Sequence, residues 1–171
     1  MRFTRTSQAG ASIVRTLTLL AALTVAGCGF RLQGAANLPP GLHRMHVVTD
    51  DRYSEFYRKL DDALQARGVE VVATPEAADA ILTIRRDETG QRVLSVSARN
   101  VPREFEVFYT VSYDVRVDGE IRSGADDLTL TRDYTWNEAQ VLGKEHEEAV
   151  LRSALADQLV RAVVTRLSYS E

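Results

Sequence analysis

Three kinds of side chain in this 171-residue sequence could do chemistry: a single cysteine, three histidines and a run of closely spaced arginines. A cysteine thiol can be alkylated, and histidine can bind a metal or transfer a proton. Arginine binds phosphates and carboxylates through its planar guanidinium group. The spacing of these residues decides which of these chemistries the chain supports.

The histidines do not form a catalytic or metal-binding pattern. His43 and His46 are three residues apart, which suits two ligands on a helix, but they lie in a predicted strand, where this spacing puts them on opposite faces. His146 lies in a Lys-Glu-His-Glu-Glu segment that lacks the second histidine of the H-E-x-x-H zinc motif. The sequence also has no G-x-S-x-G elbow, phosphate loop or glycine-rich dinucleotide turn. We therefore expect no enzymatic activity and no cofactor or metal.

A cluster of arginines stands out in a chain that is acidic on average. Within 19 residues the sequence places Arg85, Arg86, Arg92, Arg99 and Arg103. The full chain has 21 basic and 24 acidic side chains. Residues 1–27 carry three arginines and no acidic residue, so the chain from residue 28 onward has a net charge of about −6, which argues against nucleic acid as a partner. The cluster indicates a site for phosphate or carboxylate. The alternative is that these arginines neutralise acidic neighbours on a solvated sheet face.

The cysteine follows a segment typical of an export signal. Three arginines and no acidic residue precede an uncharged run, residues 17–26, which is half the roughly 20 residues needed to span a bilayer. The segment Val25-Ala26-Gly27-Cys28 resembles the bacterial lipobox, in which the cysteine receives diacylglycerol and the leader is cut before it. A lone cysteine cannot form an internal disulfide. We predict that residues 1–27 are a removed signal peptide and that Cys28 is lipidated; an ordinary secretory leader is the alternative.

The remaining chain is predicted to be a short tether followed by one domain. Glycine, asparagine and proline punctuate residues 28–42, the lipidated tether, and residues 43–171 are long enough for a single compact domain. Gly29 after the cysteine, in place of Asp, resembles the default for sorting Gram-negative lipoproteins to the outer membrane.

Apolar periodicity predicts the elements that position the arginines. The sequence favours a two-layer α/β (α+β) sandwich, with a four-stranded, mostly antiparallel sheet covered by two helices in the order β-α-β-β-β-α. The first strand is residues 43–49, and the first helix carries apolar residues from Tyr53 to Leu64 and ends at Gly68. The second strand is residues 80–86, with a turn near residues 88–90, and residues 92–97 extend the sheet or pair as a hairpin.

The second half of the domain has the clearer patterns. Alternation from Phe105 to Val117 predicts a strand with one apolar face, and Asp118-Gly119 predicts a hairpin into the return strand, residues 128–136. An amphipathic helix is predicted from about Glu145 to Leu167. Its apolar stripe and stripe edges are Val150, Leu151, Ala154, Leu155, Leu159, Ala162, Val163 and Leu167.

Three segments of this sequence carry a resemblance to a known family: the mature start Cys28-Gly29-Phe30-Arg31-Leu32, the helix exit at residues 64–70, and residues 132–137 followed by residues 141–145 and a long terminal helix. They are similar to segments of the LptE family, the lipopolysaccharide-assembly lipoproteins of the Gram-negative outer membrane. The order of elements matches over essentially all of residues 28–171. The resemblance implies a lipid-anchored protein on the periplasmic side of the outer membrane and in the lumen of the β-barrel LptD. There it acts as a plug and assembly partner and binds lipopolysaccharide.

The resemblance also implies where lipopolysaccharide binds. Family binding residues lie near the connection of strands 2 and 3 and just before the last helix. Lys144 matches the latter position, and Arg99 matches the former after a one-residue shift; Arg92 and Arg103 are neighbouring candidates. Two other functions remain open: a periplasmic scaffold lipoprotein of a different outer-membrane assembly machine, and a lipid-binding domain without a barrel partner.

Overall fold

The computed structural model describes residues 38–39, 41–135 and 141–169, without the side chains of residue 126 and residues 141–145. Cys28, the predicted leader and most of the predicted tether lie outside these residues. The strands are β1 (Arg44–Val48), β2 (Glu70–Val71), β3 (Ala80–Val96), β4 (Pro102–Val117) and β5 (Glu120–Thr135). The helices are α1 (Glu55–Gln65) and α2 (Val141–Ser168), with a short 3-10 turn at Pro75–Ala77.

The domain is the two-layer α/β sandwich that the sequence predicts. Its sheet has the strand order β2-β1-β3-β4-β5, in which β1 runs parallel to β2 and β3 and the other pairs are antiparallel. Helices α1 and α2 contact each other and cover one face of the sheet. In the described part of the chain, no helix packs on the other face.

The sheet has five strands where the sequence predicted four. The extra strand, β2, is two residues long and lies at the edge beside β1. Glu70 N–H donates to the carbonyl of His43 (2.8 Å), and Val72 N–H donates to that of Met45 (2.9 Å). The sequence did not predict β2 as a separate strand, because two residues are too few to show a pattern of alternating apolar and polar side chains.

Helix α1 begins and ends at residues with defined capping roles. The Ser54 hydroxyl accepts a hydrogen bond from Tyr57 N–H (3.0 Å), which satisfies one of the unpaired donors of the first turn. At the other end Gly68 has φ +80°, and Val69 N–H donates back to the Leu64 carbonyl (3.1 Å), as in a Schellman motif. Tyr53, expected on the apolar face, is 90% exposed because it precedes the cap.

Strand β3 is continuous over 17 residues, and the turn predicted near residues 88–90 is wrong. Glu88, Thr89 and Gly90 instead pair with consecutive residues of β4. The ring of Phe108, the partner of Gly90, lies over the glycine: a Cβ atom at position 90 would be 2.8 Å from Phe108 Cζ. The glycine therefore makes room for a cross-strand ring and does not turn the chain.

The alternation of β4 and the Asp118-Gly119 hairpin are confirmed, but the return strand β5 begins at Glu120, eight residues before its predicted start, and the last predicted residue, 136, lies outside the described residues. On the helix-covered face of β4 the core contains Val107, Tyr109, Val111, Tyr113 and Val115. Asp118 and Gly119 both have positive φ (53° and 84°), as a two-residue type I′ turn requires.

Helix α2 is confirmed as an amphipathic helix, but it buries a wider stripe than the sequence indicated. Leu155, Leu159, Val163 and Leu167 are buried as predicted. A second row, Ala156, Val160 and Val164, is also buried. The reason is that α2 packs against α1 as well as the sheet, and Lys59 on α1 forms an ion pair with Asp157 on α2 (2.6 Å).

The start of the described chain also belongs to the core. Leu38 and Leu42, which the sequence placed in the tether, are buried. Gly41 lies beside Val117, so this segment packs at the end of the sheet where β4 ends and β5 begins. The connection between β3 and β4 lies at the opposite end of the sheet.

Candidate functional site

The β3–β4 connection collects the arginines that the sequence singled out. We call residues 93–103 the hairpin tip. Its turn is held by backbone hydrogen bonds from Ser97 N–H to the Val101 carbonyl (2.7 Å) and from Asn100 N–H to the Ser97 carbonyl (2.9 Å). Asn100 has φ +61°, a conformation that asparagine tolerates better than most residues. This turn presents Arg99 at the end of the sheet.

Three of the five arginines are engaged by acidic neighbours. Arg86 pairs with Asp127 (2.9 Å), and Arg92 Nε lies 2.5 Å from Glu106 Oε1. Arg85 lies 3.7 Å from Asp114, and its guanidinium also donates to the carbonyls of Tyr113 and Ala125 (3.4 Å each). For these three residues the structure favours charge neutralisation on the sheet, the alternative that the sequence left open.

Arg99 and Arg103 differ from the other three. Both are exposed, and within the described residues neither side chain has a hydrogen bond or an ion pair. Glu104, the acid nearest in sequence, accepts a hydrogen bond from the Ser95 hydroxyl (2.7 Å). The tip therefore carries two cations that are available to an external anion.

The same tip exposes three aliphatic side chains that the sequence did not single out. Val93, Leu94 and Val96 are 48%, 46% and 52% exposed. Shifts in the β3–β4 register between Val93 and Ser95 and between Ser95 and Val96 interrupt the regular alternation of faces. The available signal was the run Val-Leu-Ser-Val, which has too few polar residues for a strand with one solvated face.

An aromatic pair supports the base of the tip. The rings of Phe105 and Tyr134 are stacked, with centroids 5.6 Å apart and planes 17° from parallel. The Tyr134 hydroxyl donates to Gln91 Oε1 (2.8 Å), which ties β5 to β3 across β4. Burial raises the pKa of Tyr134, and the charges of Glu148 and Glu147 raise it further, so this donor stays protonated.

The remaining predicted residues do not add to this site. Lys144 lies in the first turn of α2, but its side chain is outside the described part, and so is Cys28. His46 is buried and its Nδ1 lies 3.0 Å from the Val72 carbonyl, whereas His43 precedes β1. Among the described residues, no group of three or more His, Cys, Asp or Glu is placed to hold a metal.

Comparison with solved structures shows the fold. The domain is similar to lipoprotein B of Nitrosomonas europaea, with a TM-score of 0.69, 25% identity, and coverage of 82% of this chain and 90% of that one. It is also similar to the rare lipoprotein B of Shewanella oneidensis, with a TM-score of 0.62, 20% identity, and coverage of 71% and 91%. The chain thus has the fold of a class of small bacterial lipoprotein domains.

Comparison of sequences identifies the family. Residues 42–167 match the sequence profile described as LptE, Lipopolysaccharide-assembly, and the chain belongs to this family. It is similar to the LPS-assembly lipoprotein LptE of Yersinia enterocolitica (29% identity over 160 residues, 91% of this chain and 75% of that protein). It is also similar to that of Pectobacterium atrosepticum (27% over 155 residues, 89% and 83%).

Within residues 38–39, 41–135 and 141–169, no helix is both long and apolar enough to cross a membrane.

Proposed function

We propose that this chain is an outer-membrane lipoprotein, anchored through acylated Cys28, that binds lipopolysaccharide and serves as plug and assembly partner of the LptD β-barrel. Family membership supports the process, lipopolysaccharide assembly. The observation that carries the binding proposal is the pair of unengaged arginines, Arg99 in the β3–β4 turn and Arg103 at the start of β4, on an acidic domain. Lipid A carries phosphate groups, and arginine forms charge-assisted hydrogen bonds with phosphate.

The size and surface of the domain support a place inside a barrel. Strand β4 has 16 residues, which at about 3.3 Å per residue makes the sheet about 50 Å long. A bilayer with its headgroups is about 40–45 Å thick, so a sheet of this length is long enough to reach from one end of a membrane-spanning lumen to the other. The uncovered sheet face carries the charge pairs Arg86–Asp127 and Arg92–Glu106, and such a face suits the polar interior of a large barrel.

Partner capture from outer membranes tests the plug proposal. The full-length tagged chain is expressed in its native cell, the outer membrane is dissolved in a mild detergent, and co-purifying proteins are identified by mass spectrometry. The proposal predicts recovery of LptD. Recovery of a different outer-membrane assembly machine, with no LptD, would support the scaffold function in its place, and recovery of no barrel would support a free lipid-binding domain.

A double charge reversal tests the binding residues. Arg99→Asp combined with Lys144→Asp should weaken lipopolysaccharide binding at least tenfold, because each charge-assisted hydrogen bond contributes roughly 1.5–3 kcal/mol. The melting temperature should stay close to that of the unmodified protein. Arg58→Asp with Arg122→Asp is the matched control, since both residues are exposed, lie away from the tip and change the net charge equally. Equal binding by the two variants would show that Arg99 and Lys144 do not bind the ligand, and Arg103, the other exposed arginine of the tip, would be examined next.

A further inference from the structure

The outer edge of β2 carries backbone groups that pair with no other strand. On the inner side, the N–H groups of Glu70 and Val72 point toward β1 and donate to carbonyl oxygens there (2.8 and 2.9 Å). Because successive residues of a strand direct their backbone groups to opposite edges, those of Val71 point outward. In the described part of the chain, β2 is the last strand on this side of the sheet. Its outer edge is therefore a template to which an extended chain can add.

A groove of about 270 Å³ lies between this edge and helix α1. On the sheet side it is lined by aliphatic residues, among them Val47 and Val71, and Val71 packs partly buried against the core. On the helix side it is lined by Tyr57, Asp61 and Gln65, which are spaced four residues apart and so share one face of α1. A strand that adds beside β2 would place an apolar side chain on the helix-covered face of the sheet, in this groove.

The surroundings of the groove are acidic. Residues 50–79, which include α1, β2 and the loops beside them, contain eight acidic and four basic side chains. Within the described residues, six of these acids form no salt bridge: Asp50, Asp51, Asp61, Asp62, Glu70 and Glu76. This excess of negative charge disfavours an anionic lipid, or a second copy of the same acidic domain, as the occupant. It complements a chain in which apolar residues alternate with lysine or arginine.

We propose that the β2 edge and its groove are a docking site for an extended, basic segment of a partner protein, which adds to the sheet as a further strand. The backbone of the segment bonds to Val71, one apolar side chain enters the groove beside Tyr57, and a lysine or arginine pairs with Asp61. Because β2 is only two residues long, backbone pairing alone binds weakly, and the side-chain contacts select the segment. This inference goes beyond the proposed function and uses none of the residues proposed to bind lipopolysaccharide.

Two synthetic peptides test the charge and the place of the contact. The probe is acetyl-Lys-Val-Lys-Val-Lys-amide, and the comparison peptide has glutamate in place of each lysine. The full acylated chain, labelled with ¹⁵N in a neutral detergent, is titrated with each peptide and followed by NMR. The lysine peptide should shift the backbone amide signals of Val71 and Ala73, which line the groove. The glutamate peptide should bind at least roughly tenfold more weakly, because the rim of the groove repels it.

Backbone methylation of the lysine peptide separates strand addition from simple charge attraction. An added strand directs the N–H groups of alternate residues toward its neighbour. One methylated peptide carries methyl groups on both valine nitrogens and the other on the lysine nitrogens, so their charges are equal and only one pattern blocks the edge that faces β2. One of them should bind at least roughly tenfold more weakly than the parent peptide, and the other should bind as well as the parent does. Equal affinities of the two methylated peptides would contradict strand addition.

A pair of protein variants tests the groove itself. Asp61→Asn should weaken binding of the lysine peptide about two- to fivefold, as expected for a partly exposed ion pair. Asp62→Asn is the matched control, because Asp62 is the next residue of α1, has the same charge, is exposed and does not line the groove; it should leave the affinity unchanged. Melting temperatures confirm that both variants are folded.

Several results would overturn the proposal. Equal losses in the two variants would show that only the net charge attracts the peptide. Signal changes confined to residues outside the groove would place the contact elsewhere, and no binding of the lysine peptide by the unmodified protein would remove the site altogether. Self-association of the chain that the peptide displaces would make a second copy the occupant. None of these results bears on lipopolysaccharide binding, so the proposed function is tested separately.

Discussion

Replacing Asp87 with alanine should destabilise the domain more than any other single loss of charge on β3. Asp87 Oδ1 accepts a hydrogen bond from the Tyr109 hydroxyl (2.8 Å), and Oδ2 accepts one from the Ser54 hydroxyl (2.5 Å). Each hydroxyl in turn accepts a backbone N–H from the first turn of α1: Phe56 donates to Tyr109 (3.3 Å) and Tyr57 donates to Ser54 (3.0 Å). One carboxylate therefore joins the start of α1 to β3 and β4.

The size of the effect follows from these contacts. A hydrogen bond to a charged group contributes roughly 1.5–3 kcal/mol, and a buried donor left without an acceptor costs a further penalty. Tyr109 is buried, whereas Asp87 and Ser54 are half-buried and partly solvated, which reduces the penalty for leaving their donors unpaired. We expect Asp87→Ala to lower the free energy of unfolding by about 2–4 kcal/mol, and Tyr109→Phe by about 1–2 kcal/mol.

Urea unfolding followed by circular dichroism at pH 7 measures both values. Glu88→Ala is the matched control, because Glu88 is the next residue of the same strand, carries the same charge and is exposed; it should change the free energy of unfolding by less than about 0.5 kcal/mol. In the double variant of Asp87 and Tyr109 the effects should be less than additive by about 1–2 kcal/mol, since both remove one shared hydrogen bond. If Asp87→Ala were no more harmful than Glu88→Ala, the carboxylate would not connect these elements in solution.

Three further predictions concern the packing of the core, the loss of stability at alkaline pH and the lipid anchor. Leu155→Ala or Leu159→Ala should cost about 2–5 kcal/mol of stability in the same urea assay, whereas Val150→Ala, at an exposed position, should cost little; equal losses would contradict the packing of α2. Burial raises the pKa of Tyr109, so its neutral form stabilises the fold below about pH 10 and this contribution is lost as the pH rises toward the raised value. Between pH 10 and 11 the free energy of unfolding should accordingly fall more steeply for the unmodified protein than for Tyr109→Phe. Equal slopes would contradict the stabilising role of the neutral Tyr109 hydroxyl. Cys28→Ala should release the protein from membranes or leave it unprocessed, as fractionation would show; mass spectrometry that found an unmodified cysteine in the native protein would exclude lipidation.

Elements whose signal is local could be predicted from the sequence. The alternation of β4, the Asp118-Gly119 turn and the main apolar stripe of α2 each depend on residues within one element or one turn. The second buried row of α2, which includes Val160, depends on contact with α1 about 100 residues earlier in the chain. No periodicity within α2 could show which of its edges meets another helix.

The candidate site could also be predicted only in part. The sequence located the arginine cluster, but only the strand register shows that Arg92 is opposite Glu106 while Arg99 is beyond the paired residues. The exposed aliphatic residues of the tip depend on irregular pairing near Leu94, and such shifts have no clear signature in a single sequence. The sequence thus identified the arginines, and the strand pairing separated those with acidic partners from Arg99 and Arg103.

Gly90 and Phe108 form a pair whose two members constrain each other during evolution. A side chain at position 90 requires the ring at position 108 to move, because a Cβ atom there would lie 2.8 Å from Phe108 Cζ and 3.0 Å from Cε1. Conversely, a small residue at position 108 would leave the glycine backbone uncovered in the middle of a long strand, which weakens pairing. Either change alone is harmful, so lineages of this family should change the two positions together or not at all, and a glycine here should predict an aromatic residue across the strand.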